Sequence, residues 1–172
     1  MGEVNVLFRK KKEEKMPDYA KYAAKRRPDA SAELKGSEAY PEIRGKVSFY
    51  QVGNKVVVTA AVEGFPNLNG KCLYPVYAMH IHSGSSCTGT ASDPFADTGS
   101  HYNPANCAHP YHAGDLPPLF SNKGSAWSAF VTDRFTVEEI RRKTVVIHEK
   151  ADDFKTQPSG DSGKKIACGV IR

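Results

Sequence analysis

The chain of 172 residues lacks any apolar run close to the ~20 residues that a membrane-spanning helix needs, so no membrane partner is expected. It lacks a C-x-x-C pair. Cys72, Cys87, Cys107 and Cys168 stand apart, which argues against a zinc ribbon or a thioredoxin-type site and leaves their pairing open. It also lacks the order of a secretory signal. In MGEVNVLFRKKKEEK the basic cluster follows a short apolar stretch instead of preceding a long one. Read literally, that order predicts a cytoplasmic protein.

What is present is ordinary for a globular chain: 40% hydrophobic and 25% charged residues. The formal net charge is +5, and residues 1–36 carry most of it, with ten Lys/Arg against six Asp/Glu. A nucleic-acid reading of RKKKEEK and KRR is weak, because Glu13 and Glu14 interrupt the run and no aromatic stacking pattern accompanies it. A solvated helical face explains the run better, and no nucleic-acid partner is expected. Pro17 and Pro28 suit the first turns of short helices and Gly36 suits a stop. Residues 1–38 therefore read as a basic, short-helical N-terminal extension, and residues 39–172 as the main domain.

From about residue 42 the hydrophobic period becomes two. IRGKVSFYQ and NKVVVTAAVEG flank a Gly-Asn turn and predict a β-hairpin. YPVYAMHIH, SAWSAFVT, KTVVIHEK and KIACGVIR predict further strands. In DRFTVEEIRRK, Thr136 followed three residues later by Glu139 predicts a capping box on one short helix. Residues 83–123 have no period and are rich in Gly, Pro, Asn, Ser and Asp. So long an aperiodic run inside a compact domain is normally functional. Short strands with Gly/Pro turns predict an all-β antiparallel sandwich or barrel, with one long loop over it.

The chain has six histidines, and all fall in two kinds of place. His80 and His82 lie on either side of one isoleucine in a predicted strand, so both leave the same face. His148 lies at the end of another. His101, His109 and His112 lie in the long loop, with Asp115 three residues after His112. Alone, a His-x-His pair is often plain surface and a strand histidine often a packed ring. Their concentration argues for metal. A His₃Asp set gives zinc a closed tetrahedral shell, which makes such a site structural and would give a long loop its shape. His80, His82 and His148, with a fourth nitrogen from the loop, make an all-imidazole set. Such a set suits copper, zinc, iron or nickel, and a tetragonal arrangement favours Cu(II). Cupins also carry H-x-H but need a glutamate soon after it, which HIHSGSSC lacks. Metal-dependent hydrolases with H-x-H need a longer barrel than this chain can build.

Over roughly residues 40–171 the chain resembles the copper/zinc superoxide dismutases. HIH, HYNP, HAGDLP, VVIHEKADD and ACGVI occur here in that family's order. The resemblance implies an eight-stranded Greek-key β-barrel and disproportionation of superoxide to dioxygen and hydrogen peroxide. It implies copper on His80, His82, His101 and His148, and zinc on His101, His109, His112 and Asp115. His101 would bridge the two metals and carry a proton, and Asp152 would orient one ligand of each. It implies a Cys87–Cys168 disulfide, worth up to about 4–5 kcal/mol in the chain-entropy model. The family occurs as dimers and monomers, so a homodimer is one expectation.

There are departures. Where the family usually has an anion-guiding arginine stands Lys165, beside Lys164; lysine keeps the charge and loses the planar fork. The loop FKTQPSGDSGKK is short and lacks the usual acidic pair, and TGTASDPFADTGS lengthens the stretch between Cys87 and His101. Cys72 and Cys107 have no counterparts; a second disulfide and two free thiols are both open. Lys165 and the short, altered loop motivate a competing expectation, a copper/zinc-binding or chaperone-like domain with little turnover.

Overall fold

The computed structural model describes residues 18–67 and 75–172. A short helix α1 (Tyr19–Ala24) precedes strands β1 (Ala30–Gly36), β2 (Arg44–Val52), β3 (Lys55–Glu63), β4 (Val76–Tyr77) and β5 (Met79–His82). After the long loop come β6 (Leu119–Phe120), β7 (Ser125–Thr132), helix α2 (Val137–Ile140), β8 (Thr144–His148) and β9 (Lys165–Val170). A single turn of 3₁₀ helix, Ala96–Thr98, interrupts the long loop. Among the described residues no helix is long and apolar enough to cross a membrane.

The architecture is all-β. Seven strands form one curled antiparallel sheet in the order β5-β8-β9-β1-β2-β3-β7, and β4 pairs with β6. The chain crosses from β3 to β5 at the opposite edge and returns to lay β7 beside β3, which is the Greek-key crossing. β4 and β5 are one strand that changes partner at Ala78, whose carbonyl accepts the His148 amide at 2.9 Å. Counted that way the described residues hold the expected eight strands. The hairpin forms as its sequence predicts, with Val52 opposite Lys55 and Gly53 supplying a positive φ of 59°. α2 carries the complete Thr136–Glu139 capping box.

One expectation needs correction. Residues 30–36 lie inside the segment read as a helical extension, yet they form β1, hydrogen-bonded between β2 and β9. Ala30, Ala32 and Leu34 are buried while Glu33 and Lys35 are exposed. Ala, Leu, Glu and Lys favour helices in isolation, and burial of an alternating face between two strands overrides that preference. Gly36 is no helix stop. A Cβ there would meet the Tyr40 carbonyl oxygen at 1.9 Å, so glycine permits the close approach of the next turn. The RKKKEEK run lies outside the described residues.

The core fills the inside of the curl with Ile43, Phe49, Met79, Ile81, Ile147 and Ile166, all essentially sealed from water. Each such side chain contributes about 1.5–3 kcal/mol on burial. On β5 and β8 the alternation is what matters for function. Met79, Ile81, Val145 and Ile147 belong to this core, and His80, His82 and Val146 therefore leave the opposite face. That outer face is covered by the long loop, so all five residues of β8 are buried.

Candidate metal centre

The loop has no period because it is not an element of its own; it is laid along the free edge of β5. The Tyr102 amide donates to the Ile81 carbonyl at 2.7 Å, the Ile81 amide to Gly114 at 2.8 Å, and the Ser83 amide to Ser100 at 2.9 Å. These bonds satisfy an edge that would otherwise be bare. They bring His101 beside His82 and Asp115 beside His80. Gly114 makes the approach possible, since a Cβ there would lie 2.3 Å from the Ile81 oxygen. His148 arrives at the end of β8, where a bulge between Ile147 and His148 shifts the register and sets it opposite Lys165.

Two clusters of donor atoms result, each within 4.8 Å of one another: His80, His82, His101 and His148, and His101, His109, His112 and Asp115. All seven residues are buried and His101 belongs to both groups. Each ring's spare nitrogen shows which atom is free. His80 Nε2 donates to Asp152 at 2.8 Å, His82 Nδ1 to the Gly99 carbonyl at 2.9 Å, and His148 Nδ1 to the Gly163 carbonyl at 3.2 Å. The remaining atoms are His80 Nδ1, His82 Nε2 and His148 Nε2. Two of these, His82 Nε2 and His148 Nε2, face each other at 3.3 Å. With both protons on the far side, two lone pairs point at one spot, an arrangement that only a shared cation or proton relieves. His80 Nδ1 is buried without a partner, and so is His101 Nε2.

The second cluster behaves alike. His109 Nε2 donates to Asp152 at 2.9 Å, which leaves Nδ1 bare. That Nδ1 lies 3.1 Å from Asp115 Oδ2 yet makes no hydrogen bond with it, because the direction is wrong. His101 Nδ1 and His112 Nδ1 lie 2.8 and 3.3 Å from Asp115 Oδ1. Donor atoms on a tetrahedral zinc ion with bonds near 2.0 Å stand about 3.3 Å apart, so these separations fit the edges of such a shell. The donor chemistry fits both metals: four imidazole nitrogens for copper, three imidazoles and a carboxylate for zinc.

Burial shapes the charges. Burial first, then the neighbouring imidazoles, hold His82 well below the usual histidine range, and burial followed by His80 lowers His148 to about 3. Burial also lowers His80, against the opposing pull of Asp152. These rings are neutral at pH 7 and able to act as ligands. Burial alone would raise Asp152, but hydrogen bonds from His80, His109 and the Phe154 amide bring it down to about 2. Burial is likewise outweighed at Asp115, which His101 and the other imidazoles lower.

A cavity of 690 Å³ opens onto this centre, lined among others by His82, His101, His148, Lys164 and Lys165. Lys165 lines it but is not a free cation: Nζ donates to Asp93 at 2.7 Å and to the Phe95 carbonyl at 3.1 Å. Cys87 and Cys168 are bonded, pinning the lengthened segment to β9 across 81 residues of sequence. Cys107 is exposed, and its pairing with Cys72 lies outside the described residues. Sequence reasoning missed Gln157, whose side-chain amide exchanges two hydrogen bonds with the His109 backbone at 2.9 and 2.7 Å. It also missed Arg134, whose guanidinium donates to the carbonyls of Pro110, His112 and Asp115 at 3.2–3.4 Å. Both act on backbone atoms, which every residue carries, so no residue pattern announces them.

Residues 43–171 match the family described as copper/zinc superoxide dismutase. The chain belongs to this family. It is 30% identical over 158 residues to "Superoxide dismutase [Cu-Zn] 2" of Aquifex aeolicus, covering 83% of this chain and 86% of that one. It is 32% identical over 157 residues to the "Superoxide dismutase [Cu-Zn]" of Brucella abortus, covering 82% and 88%. The rat "Extracellular superoxide dismutase [Cu-Zn]" is 29% identical over 142 residues, 76% of this chain and 55% of that longer protein. Family membership accounts for both clusters together, since copper and zinc are the metals whose donor sets the geometry presents.

Proposed function

We propose that the protein is a superoxide dismutase in which His80, His82, His101 and His148 hold copper and His101, His109, His112 and Asp115 hold zinc. The observation that carries this reading is His101. Its Nδ1 lies in the Asp115 cluster while its Nε2, buried and without a partner, belongs to the other. When bound, copper supplies the one-electron couple by which one superoxide is oxidised to dioxygen and a second is reduced, with two protons, to hydrogen peroxide. The protein's own residues do the rest. His101 holds or releases a proton at Nε2, at the base of the cavity. Asp152 fixes the rings of His80 and His109, and the Gly99 and Gly163 carbonyls fix His82 and His148, so that the free nitrogens stay converged. Lys164 gives the cavity wall positive charge that draws a small anion, while Lys165 lines the same wall as the partner of Asp93.

The competing reading of a metal-holding domain with little turnover rests on Lys165 and the short loop alone. Loading the metal-free protein with both metals and measuring superoxide consumption separates the two. Full loading without consumption above that of the metal-free chain would defeat the dismutase reading. A homodimer also belongs to the proposal. Trp127, 73% exposed, and Val131, 38% exposed, share one face of β7 and support an apolar contact there. Sedimentation as a monomer at all concentrations would remove it. The Cys87–Cys168 bond and the extracellular relatives favour an oxidising setting over the cytoplasm. Fractionation of the source cells decides between them.

A further inference from the structure

The lengthened segment between Cys87 and His101 lines part of the cavity, and Asp93 is its one carboxylate that reaches a cavity lysine. A tight turn holds that carboxylate. Asp93 Oδ1 accepts the Phe95 amide at 3.1 Å, and the Asp93 carbonyl accepts the amides of Thr90 and Ala96 at 2.9 and 3.1 Å. Oδ2 accepts from Lys165 Nζ at 2.7 Å. The Lys165 side chain is only 16% exposed, and across the β8–β9 register it stands opposite His148. The same segment carries Gly99, whose carbonyl accepts from His82 Nδ1. One stretch of chain thus grips both a lysine of the cavity wall and a ring of the metal centre.

We propose that Asp93 is a positioning residue that clamps Lys165 to the cavity wall and cancels most of its long-range attraction for anions. The proposal rests on the dismutase reading for its substrate. An ammonium and a carboxylate in contact act at a distance as a dipole, whose field falls off faster than that of a lone charge. Two of the three ammonium protons are already committed, to Asp93 and Phe95. Attraction then falls to Lys164, which lines the same cavity and has no ion pair among the described residues. The lengthened segment therefore lowers anion capture at the very position where the family usually has its anion-guiding arginine.

The test compares Asp93→Asn with Asp97→Asn in the copper- and zinc-loaded protein. Asn keeps the acceptor for the Phe95 amide and removes the charge. Asp97 is an exposed acid of the same segment, held by the Thr88 hydroxyl and not by Lys165, so it reports the plain effect of net charge. Azide is the probe anion, titrated by visible absorption, and superoxide consumption is followed at low and high salt. For D93N, azide binding should tighten about three- to tenfold, with a comparable rise in superoxide rate at low salt and a steeper fall with added salt. D97N should stay within about twofold of the parent. Adding Lys165→Gln to D93N should abolish the gain. Asp93→Ser, which also retains an acceptor, repeats the comparison should D93N take up metal poorly. Equal azide affinities in D93N and D97N, or a gain that persists without Lys165, would overturn the proposal. A parent protein that loads metals and binds azide but consumes no superoxide would defeat the functional reading alone, and the azide comparison would still judge the clamp.

Discussion

Asp152 accepts His80 Nε2 on one oxygen and His109 Nε2 on the other, so one carboxylate orients a ring in each cluster. Replacing it with Ala should weaken both copper and zinc binding by about 10–100-fold, read by competition with chelators. Loss of affinity for only one metal would show that the carboxylate does not serve both rings. The buried rings also set a pH dependence in the metal-free protein. His148 is lowered to about 3 and His80 and His82 are lowered too, whereas in the unfolded chain each titrates near its ordinary 6.5. Below that value the unfolded state binds more protons than the folded one, so acid favours unfolding. This contribution is complete above about pH 6.5 and is lost progressively toward about pH 3. Asp152, lowered to about 2, adds a loss only below its ordinary 3.8. Urea midpoints of the metal-free protein should therefore fall across the histidine window; a constant midpoint would contradict the burial argument.

At the scale of elements, β5 is an edge strand finished by a loop. Its outer face carries two ligands, and its free edge carries the backbone bonds that bring in His101 and Asp115. Gly114→Ala tests this arrangement. Its Cβ would meet the Ile81 oxygen at 2.3 Å, so either the loop or the strand must move. The expected cost is about 1–3 kcal/mol in folding stability, with weaker zinc binding, because Asp115 is the next residue. Unchanged stability and zinc affinity would mean that the loop does not depend on this contact. β1 teaches a related lesson about elements. Its alternation of apolar Ala30, Ala32 and Leu34 with polar Ser31, Glu33 and Lys35 was present in the sequence, but its helix-favouring composition and the prolines before it concealed it until β2 and β9 supplied partners.

On the scale of the whole molecule, the formal charge of +5 is a poor guide to what an approaching anion meets. Ten of the Lys/Arg residues fall within residues 1–36, whereas the cavity presents Lys164 and an internally paired Lys165. Attraction should thus be real but modest. Superoxide consumption should slow about twofold as salt rises from low to physiological strength, where charges more than ~8 Å apart are largely screened. A rate independent of salt would exclude electrostatic guidance at the cavity.

By itself the sequence determined the long strands of the main domain, the capped helix α2 and the residue types at the two clusters, but not the two-residue β6 inside the aperiodic run 83–123. The strands were legible because a two-residue period is a local property, and the ligands because metal donors are few and their spacing persists in the chain. The sequence also carried the resemblance that tied the clusters to one family. Only the tertiary structure decided which ring nitrogen each histidine keeps free, because that choice is made by distant acceptors: Gly99, Gly163 and Asp152. It alone decided that Lys165 is gripped by Asp93, 72 residues away in the chain. Pairings of that kind arise where loops meet across a cavity, and no local pattern of residues encodes the meeting.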